Sequence, residues 1–373
     1  RHRRDETGDI RYWRTLFKRT ITQTTTRQSV MIYINNDNID TLAVRWLILL
    51  KRYIEQNNYQ QTMLDAIVAS SLSHEDKVIA KLVVNRYFAH LDDYILADMK
   101  ISALIYNIYK YSIDRTILDK RVHSDLHGVL YKQFSDLYDK FTKSKPLFDV
   151  TIDEDKKEQE RFKNHDIAYY FFKKLNIRTC PYCNRNYTFT YLKVDGKARP
   201  EYDHFYGRAN CPLLAVSFFN LVPSCHDCNH TKLTKPLGIN PYFEGFTSKF
   251  KVKYADSKLP LLLEEEIKQE NLSIEFDKPS QAEKLNIMHL GLDHLYQMHD
   301  DYVMEMIEKA RIYRGPMADA LSTSFQNAGY THKDVYDFVW GKNLEIAKHV
   351  NRPLSKLTHD ILEQLDIHVD DNL

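Results

Sequence analysis

The sequence predicts a mostly helical α+β protein with a small metal-stapled module at its centre. Three observations point there. Glycine and proline are scarce, 10 and 11 among 373 residues, which favours long helices over many tight-turned strands. Apolar residues recur at three- and four-residue spacing through much of the first third. Four of the five cysteines stand in two Cys-x-x-Cys pairs near the middle; in a chain expected to lack a secretion signal this arrangement reads as metal ligation before disulfides.

From about Asn38 to Ser144 the periodicity is helical almost throughout. Ile39, Leu42, Ala43, Trp46, Leu47 and Leu50 share one helix face. Ser73, with Asp76 three positions later, supplies a helix start. Further helices are expected near residues 101–111 and 117–143, their stripes read as core. A charged hinge, Asp153 to Glu158, leads into an aromatic helix with Tyr169, Tyr170, Phe171 and Phe172. That run is expected to pack on the metal module rather than to stack on bases. After about Tyr242, residues 250–254 and 272–276 alternate apolar and polar, as strands do. One long helix is expected from about 280 to 314. A last one is expected from Pro353 to Leu365, with proline in its first turn. The textures divide the chain into a helical region 1–150, a central module 151–245 and a mainly helical region 246–373 with a short β-hairpin.

Charge narrows the classes. Lys and Arg number 52 against 51 Asp and Glu, which excludes a simple all-over basic nucleic-acid binder but not a local basic groove. Between Lys156 and Lys235 the count is 14 against 7; a four-thiolate zinc site subtracts about two charges, and the remainder still attracts a phosphate backbone. The run from Leu42 to Leu50 contains Arg45, and no segment approaches the roughly 20 apolar residues of a membrane span. Arg1 to Glu6 has no apolar stretch of the kind a secretory signal carries. The expected compartment is the cytoplasm.

Cys180, Cys183, Cys225 and Cys228 form two knuckles. Four soft thiolates suit tetrahedral Zn2+ and leave no open position, so the site is expected to be structural. The intervening loop of about 41 residues must itself be folded, being longer than in compact zinc ribbons. His226 and His230 are substitute ligands that a full cysteine set makes unnecessary, and Cys211 is expected to be a small buried residue.

Inside that loop lies Glu201-Tyr202-Asp203-His204-Phe205. Asn220-Leu221-Val222-Pro223-Ser224 then runs into the second knuckle, which continues as Asn229-His230-Thr231-Lys232. Phosphodiester hydrolysis needs an activated water and a cation for the crowded phosphate charge. A neutral imidazole, His204, is the candidate base. Asn229 offers an amide oxygen to Mg2+, which accepts few protein ligands and keeps several waters. Lys232 lies on the same helix face as Asn229 and is a candidate to neutralise phosphate charge, with Arg185 and Arg208 as softer candidates.

The stretch from Cys180 to Lys235 resembles the zinc-bound HNH (ββα-metal) endonuclease motif. The resemblance implies a fold that is mostly α with a small ββα-metal zinc-bound HNH nuclease core, α+β overall. It implies that Asp203 and Asn229 flank a catalytic Mg2+, for which Mn2+ can substitute, and that His204 is the base. By the same resemblance Asn220 braces the loop and orients His204; Arg185, Arg208, Lys232 and Lys235 are the residues expected to meet nucleic acid. The role of Glu201 stays open. Two positions depart from the pattern. Gly207 stands where the family often has proline, and Asn229 where histidine is common, which leaves the choice of metal less defined.

More widely, the Cys180–Cys225 phrase and the ending Asn351-Arg352-Pro353-Leu354-Ser355-Lys356-Leu357-Thr358 resemble Septu PtuB-type anti-phage nucleases. That resemblance implies a DNA substrate and an ABC/SMC-like ATPase partner docked on the helical flanks. Two alternatives remain. A stand-alone restriction-type or homing-type HNH enzyme should carry its own sequence-reading module, and no helix-turn-helix or finger array is present. A zinc-stabilised nucleic-acid- or partner-binding protein with a dead site is opposed by the joint presence of Asp203, His204, Asn220 and Asn229.

Overall fold

The computed structural model describes residues 33–34, 38–112, 125–145, 165–193, 196–254, 267–313, 316–341 and 346–367. The N-terminal part is helical: α1 (Ile39–Gln56), α2 (Tyr59–Ala69), α3 (His74–Ala89), α4 (Leu91–Ile95), α5 (Met99–Ser112) and α6 (Asp125–Lys143). The stripe foreseen on α1 is buried, from Leu42 through Trp46 to Leu50. Ser73 caps α3, its hydroxyl accepting the Asp76 amide at 3.1 Å. That bond satisfies one of the amides a helix start leaves open. The helix expected over 117–143 runs from Asp125, its first residues and the 153–158 hinge lying outside the described residues.

The aromatic helix is α7 (Ile167–Leu175), with Tyr169, Tyr170, Phe171 and Phe172 all buried. Trp46 of α1 meets Phe141 of α6 and Phe171 of α7 edge-on at 4.9 Å each, the favoured T-shaped arrangement. It also approaches Tyr202 and Phe218 near the module's strands, and its indole N–H donates to the Val216 carbonyl. The hydrophobic core is therefore continuous across the sequence zones.

The described residues carry three antiparallel strand pairs. A short hairpin that the sequence did not announce joins β1 (Tyr191–Lys193) to β2 (Gly196–Ala198). The pair that matters for the site is β3 (Glu201–His204) with β4 (Leu221–Ser224), which leads into α8 (His226–Lys232). The expected C-terminal strands are β5 (Lys249–Tyr254) and β6 (Leu272–Asp277), with Phe250 opposite Phe276 and Val252 opposite Ile274.

The single helix expected over 280–314 is three: α9 (Gln281–Leu290), α10 (Leu292–Gln297) and α11 (Asp300–Ile312). Gly291 ends the first in the left-handed conformation, φ +63°, its N–H turned back to Ile287 and Met288. This is the usual helix stop, which glycine adopts without steric cost. A second break falls at Met298 and His299. Then come α12 (Pro316–Asn327), α13 (His332–Trp340) and α14 (Ser355–Gln364). Pro353 precedes α14 rather than sitting in its first turn, because Leu354 takes a left-handed φ of 60° at the cap. Among the described residues no helix is long and apolar enough to cross a membrane.

Candidate functional site

Cys180 and Cys183 lie on the turn after α7, and Cys225 and Cys228 at the start of α8. All four are buried free thiols whose sulfurs lie within 4.8 Å of one another. The Cys183–Cys225 separation is 3.9 Å. Sulfurs bound to one tetrahedral zinc at about 2.3 Å stand about 3.8 Å apart, so the set fits that ion without rearrangement. Backbone amides point at the sulfurs, Arg185 N to Cys183 and Cys225 N to Cys180, which stabilises thiolate charge. Cys211 is outside the cluster and buried, and burial pushes its pKa up to about 12.

A ββα unit grows from this centre. The register pairs Glu201 with Ser224 and His204 with Leu221, so β3 begins beside the start of α8 and ends, at His204, opposite the start of β4. Alternation along β3 sends Glu201 and Asp203 to the α8 side and Tyr202 and His204 to the other. His204 is half-buried, its Nε2 3.0 Å from the Ala215 carbonyl and its ring against Tyr138. A carbonyl only accepts, so Nε2 carries the proton and Nδ1 keeps its lone pair. Burial, helped by the nearby Arg208, lowers the His204 pKa to about 3.

Asn220 behaves as a brace. Its Oδ1 accepts from Tyr206 N at 2.8 Å, and its Nδ2 donates to the Leu214 and Tyr206 carbonyls. The loop after His204 is thereby tied to the strand that returns.

Asp203 and Lys232 sit otherwise than the sequence suggested. Both are buried, and Lys232 Nζ reaches Asp203 Oδ1 at 3.1 Å and the His204 carbonyl at 2.7 Å. Tyr182 donates its hydroxyl to the second Asp203 oxygen at 2.7 Å. Burial raises the Asp203 pKa while Lys232 and Tyr182 pull against it. Asn229 gives its Nδ2 to Glu201 at 2.7 Å rather than approaching Asp203. As they stand, Asp203 and Asn229 do not fit Mg2+: an ammonium and a phenol already use the carboxylate, and Lys232 has no free face for phosphate.

The basic candidates divide. Arg208 is part-exposed beside His204, paired with Asp139 at 3.2 Å and lying over the Tyr138 ring. Lys235 is exposed. Arg185 instead donates to His299 Nε2 at 2.9 Å and joins α11 to the first knuckle.

No protein-family model matches the chain, and no curated protein or solved structure matches it.

The trio Glu201, His226 and His230 was only half legible. Its donor atoms lie within 4.8 Å of one another on the outer side of α8. The readable signal is His-x-x-x-His, which places two imidazoles on one helix face. What the sequence hides is that β3 brings Glu201 to meet them.

Proposed function

We propose that the chain is an HNH-type endonuclease that hydrolyses phosphodiester bonds in DNA, with a structural zinc at the four cysteines. The observation that carries the reading is the ββα unit on the cysteine cluster, with His204 at the end of its first strand and Asn220 bracing the loop beyond it. In this reading His204 Nδ1 takes the proton from the attacking water while Nε2 stays bound to Ala215. An imidazole with a pKa near 3 is a weak base. A phosphodiester beside it adds an anion and raises that pKa toward neutrality. Arg208, next to the ring, supplies positive charge for the phosphate, and Lys235 extends it. The metal dependence expected of such an enzyme is assigned no step at Asp203 and Asn229, given their present partners. The wider role, nuclease effector of an anti-phage system beside an ABC/SMC-like ATPase, has the sequence resemblance as its support.

A plasmid-cleavage assay with Mg2+ and with Mn2+ tests the reading. His204→Ala should lose about 10²–10⁴-fold in rate, the usual contribution of a general base. Equal cleavage by the two proteins would sink it.

One observation favours a second reading, a zinc-stabilised binding protein without catalysis. The buried Lys232 ammonium sits on Asp203, where an active site of this type needs a cation of another kind. A chain that binds duplex DNA yet leaves plasmid intact with either metal supports that alternative.

A further inference from the structure

We propose that Glu201, His226 and His230 form a second metal site, distinct from the cysteine centre, that takes a divalent first-row transition-metal ion. His226 and His230 are four residues apart on α8, their ring centroids 3.8 Å from each other. Glu201 reaches across from β3, Oε1 lying 2.9 Å from His226 Nδ1 and Oε2 3.7 Å from His230 Nε2. Nitrogen and oxygen donors bound at about 2.0–2.1 Å, and subtending roughly 90–110° at the ion, stand about 3 Å apart. The Glu201–His226 separation already matches that spacing, the Glu201–His230 one exceeds it by less than 1 Å, and the three residues' donor atoms all lie within 4.8 Å of one another.

The surroundings separate this cluster from an ordinary surface ion pair. Asn229 donates to Glu201 Oε2 at 2.7 Å and fixes the carboxylate, the kind of outer hydrogen bond that orients a ligand. No lysine or arginine bonds to Glu201 among the described residues. The other mixed cluster among the described residues, His359, Asp360 and Glu363, differs on this point. There Asp360 is held by Lys356 and the Phe250 amide, and Glu363 by Lys249. Register makes the Glu201 site rigid as well: β3 pairs Glu201 with Ser224, one residue before a cysteine of the buried centre.

Donor chemistry selects the ion. Two imidazoles and a carboxylate suit zinc, cobalt, nickel or manganese, whereas Mg2+ prefers oxygen ligands. The side chains of His226 and His230 are 67% and 61% exposed and that of Glu201 is 37% exposed. Three protein ligands facing solvent leave coordination positions open, as in a reactive site and unlike the closed thiolate set. The inference concerns binding and stands apart from the nuclease reading.

The test uses the full, untagged chain carrying zinc at its cysteines, titrated with Co2+. Bound zinc and cobalt are counted and the visible spectrum is recorded. The wild type should keep its zinc and bind one cobalt with the weak bands of nitrogen and oxygen ligation. His226→Ala and His230→Ala, both at exposed positions, should keep zinc and melting temperature but lose cobalt affinity by more than about tenfold. The proposal is overturned if the wild type takes up no cobalt beyond its zinc. It is equally overturned if cobalt enters only with intense thiolate bands, or if the two variants bind it as the wild type does. Cleavage is not read, so a failure here is distinct from a failure of the nuclease reading.

Discussion

Lys232 has no exposed surface, and its ammonium rests on a carboxylate that is itself buried. Removing one partner of such a pair strands a charge in a poor solvent, which costs about 3–5 kcal/mol. Lys232→Met should therefore lower unfolding free energy by about that amount in a denaturant titration. Asp203→Asn in the same chain should recover part of the loss, since paired residues couple by about 0.5–3 kcal/mol. Additive losses would mean the two residues act separately. Residue types and spacing made Asp203, His204, Asn220 and the cysteines visible in the sequence. Which partner each one chooses was not visible. Lys232 lies three positions after Asn229 and looks like a surface lysine of the same face, yet α8 is short and its last turn rolls that side chain beneath β3. Asn229 turns to Glu201 for the same geometric reason.

At the scale of elements, the strands 249–254 and 272–277 followed from alternation, and α1 and α3 from their stripe and cap. The three-way division of 281–312 was missed because apolar spacing continues through both breaks, the left-handed turn at Gly291 and the second one at Met298 and His299. The loop after α8 shows a different kind of precision. Gly238 lies so close to α9 that an added Cβ would stand 2.4 Å from the Ala282 carbonyl oxygen. Asn286 fastens the same loop, accepting from the Gly238 and Ile239 amides and donating to the Ile239 carbonyl. Gly238→Ala should cost about 1–3 kcal/mol, as forced overpacking does, and lower the thermal midpoint accordingly. An unchanged midpoint would show that α9 can shift away from the loop without loss.

Across the whole molecule, the N-terminal helices and the C-terminal strands and helices close on the central module from both sides. Trp46 anchors the first of these contacts. The second converges on the first knuckle, where Tyr296 donates to the Cys183 carbonyl and Thr179 to that of Val350. Asn184, left-handed at φ 47°, gives its side-chain nitrogen to the His349 and Arg352 carbonyls. Its oxygen accepts the Lys356 amide, and its own carbonyl the Leu354 amide. No periodicity could have announced contacts between residues 113 to 172 positions apart in the chain. They predict that Asn184→Gly, which keeps the backbone turn but deletes the side chain, releases zinc to a chelator about tenfold faster than wild type. An unaltered rate would separate the knuckle from the C-terminal segment.

That asparagine has a consequence for communication through the protein. The residue that closes the turn carrying Cys180 and Cys183 also holds the entry to the last helix, so an ion bound at that turn would share one equilibrium with the helix. Whatever lifted α14 from its seat would loosen a metal held there, and stripping that metal would free α14, by equal free energies in the two directions. A partner that grips the C-terminal helix would then read, from the outside, whether the buried centre is filled.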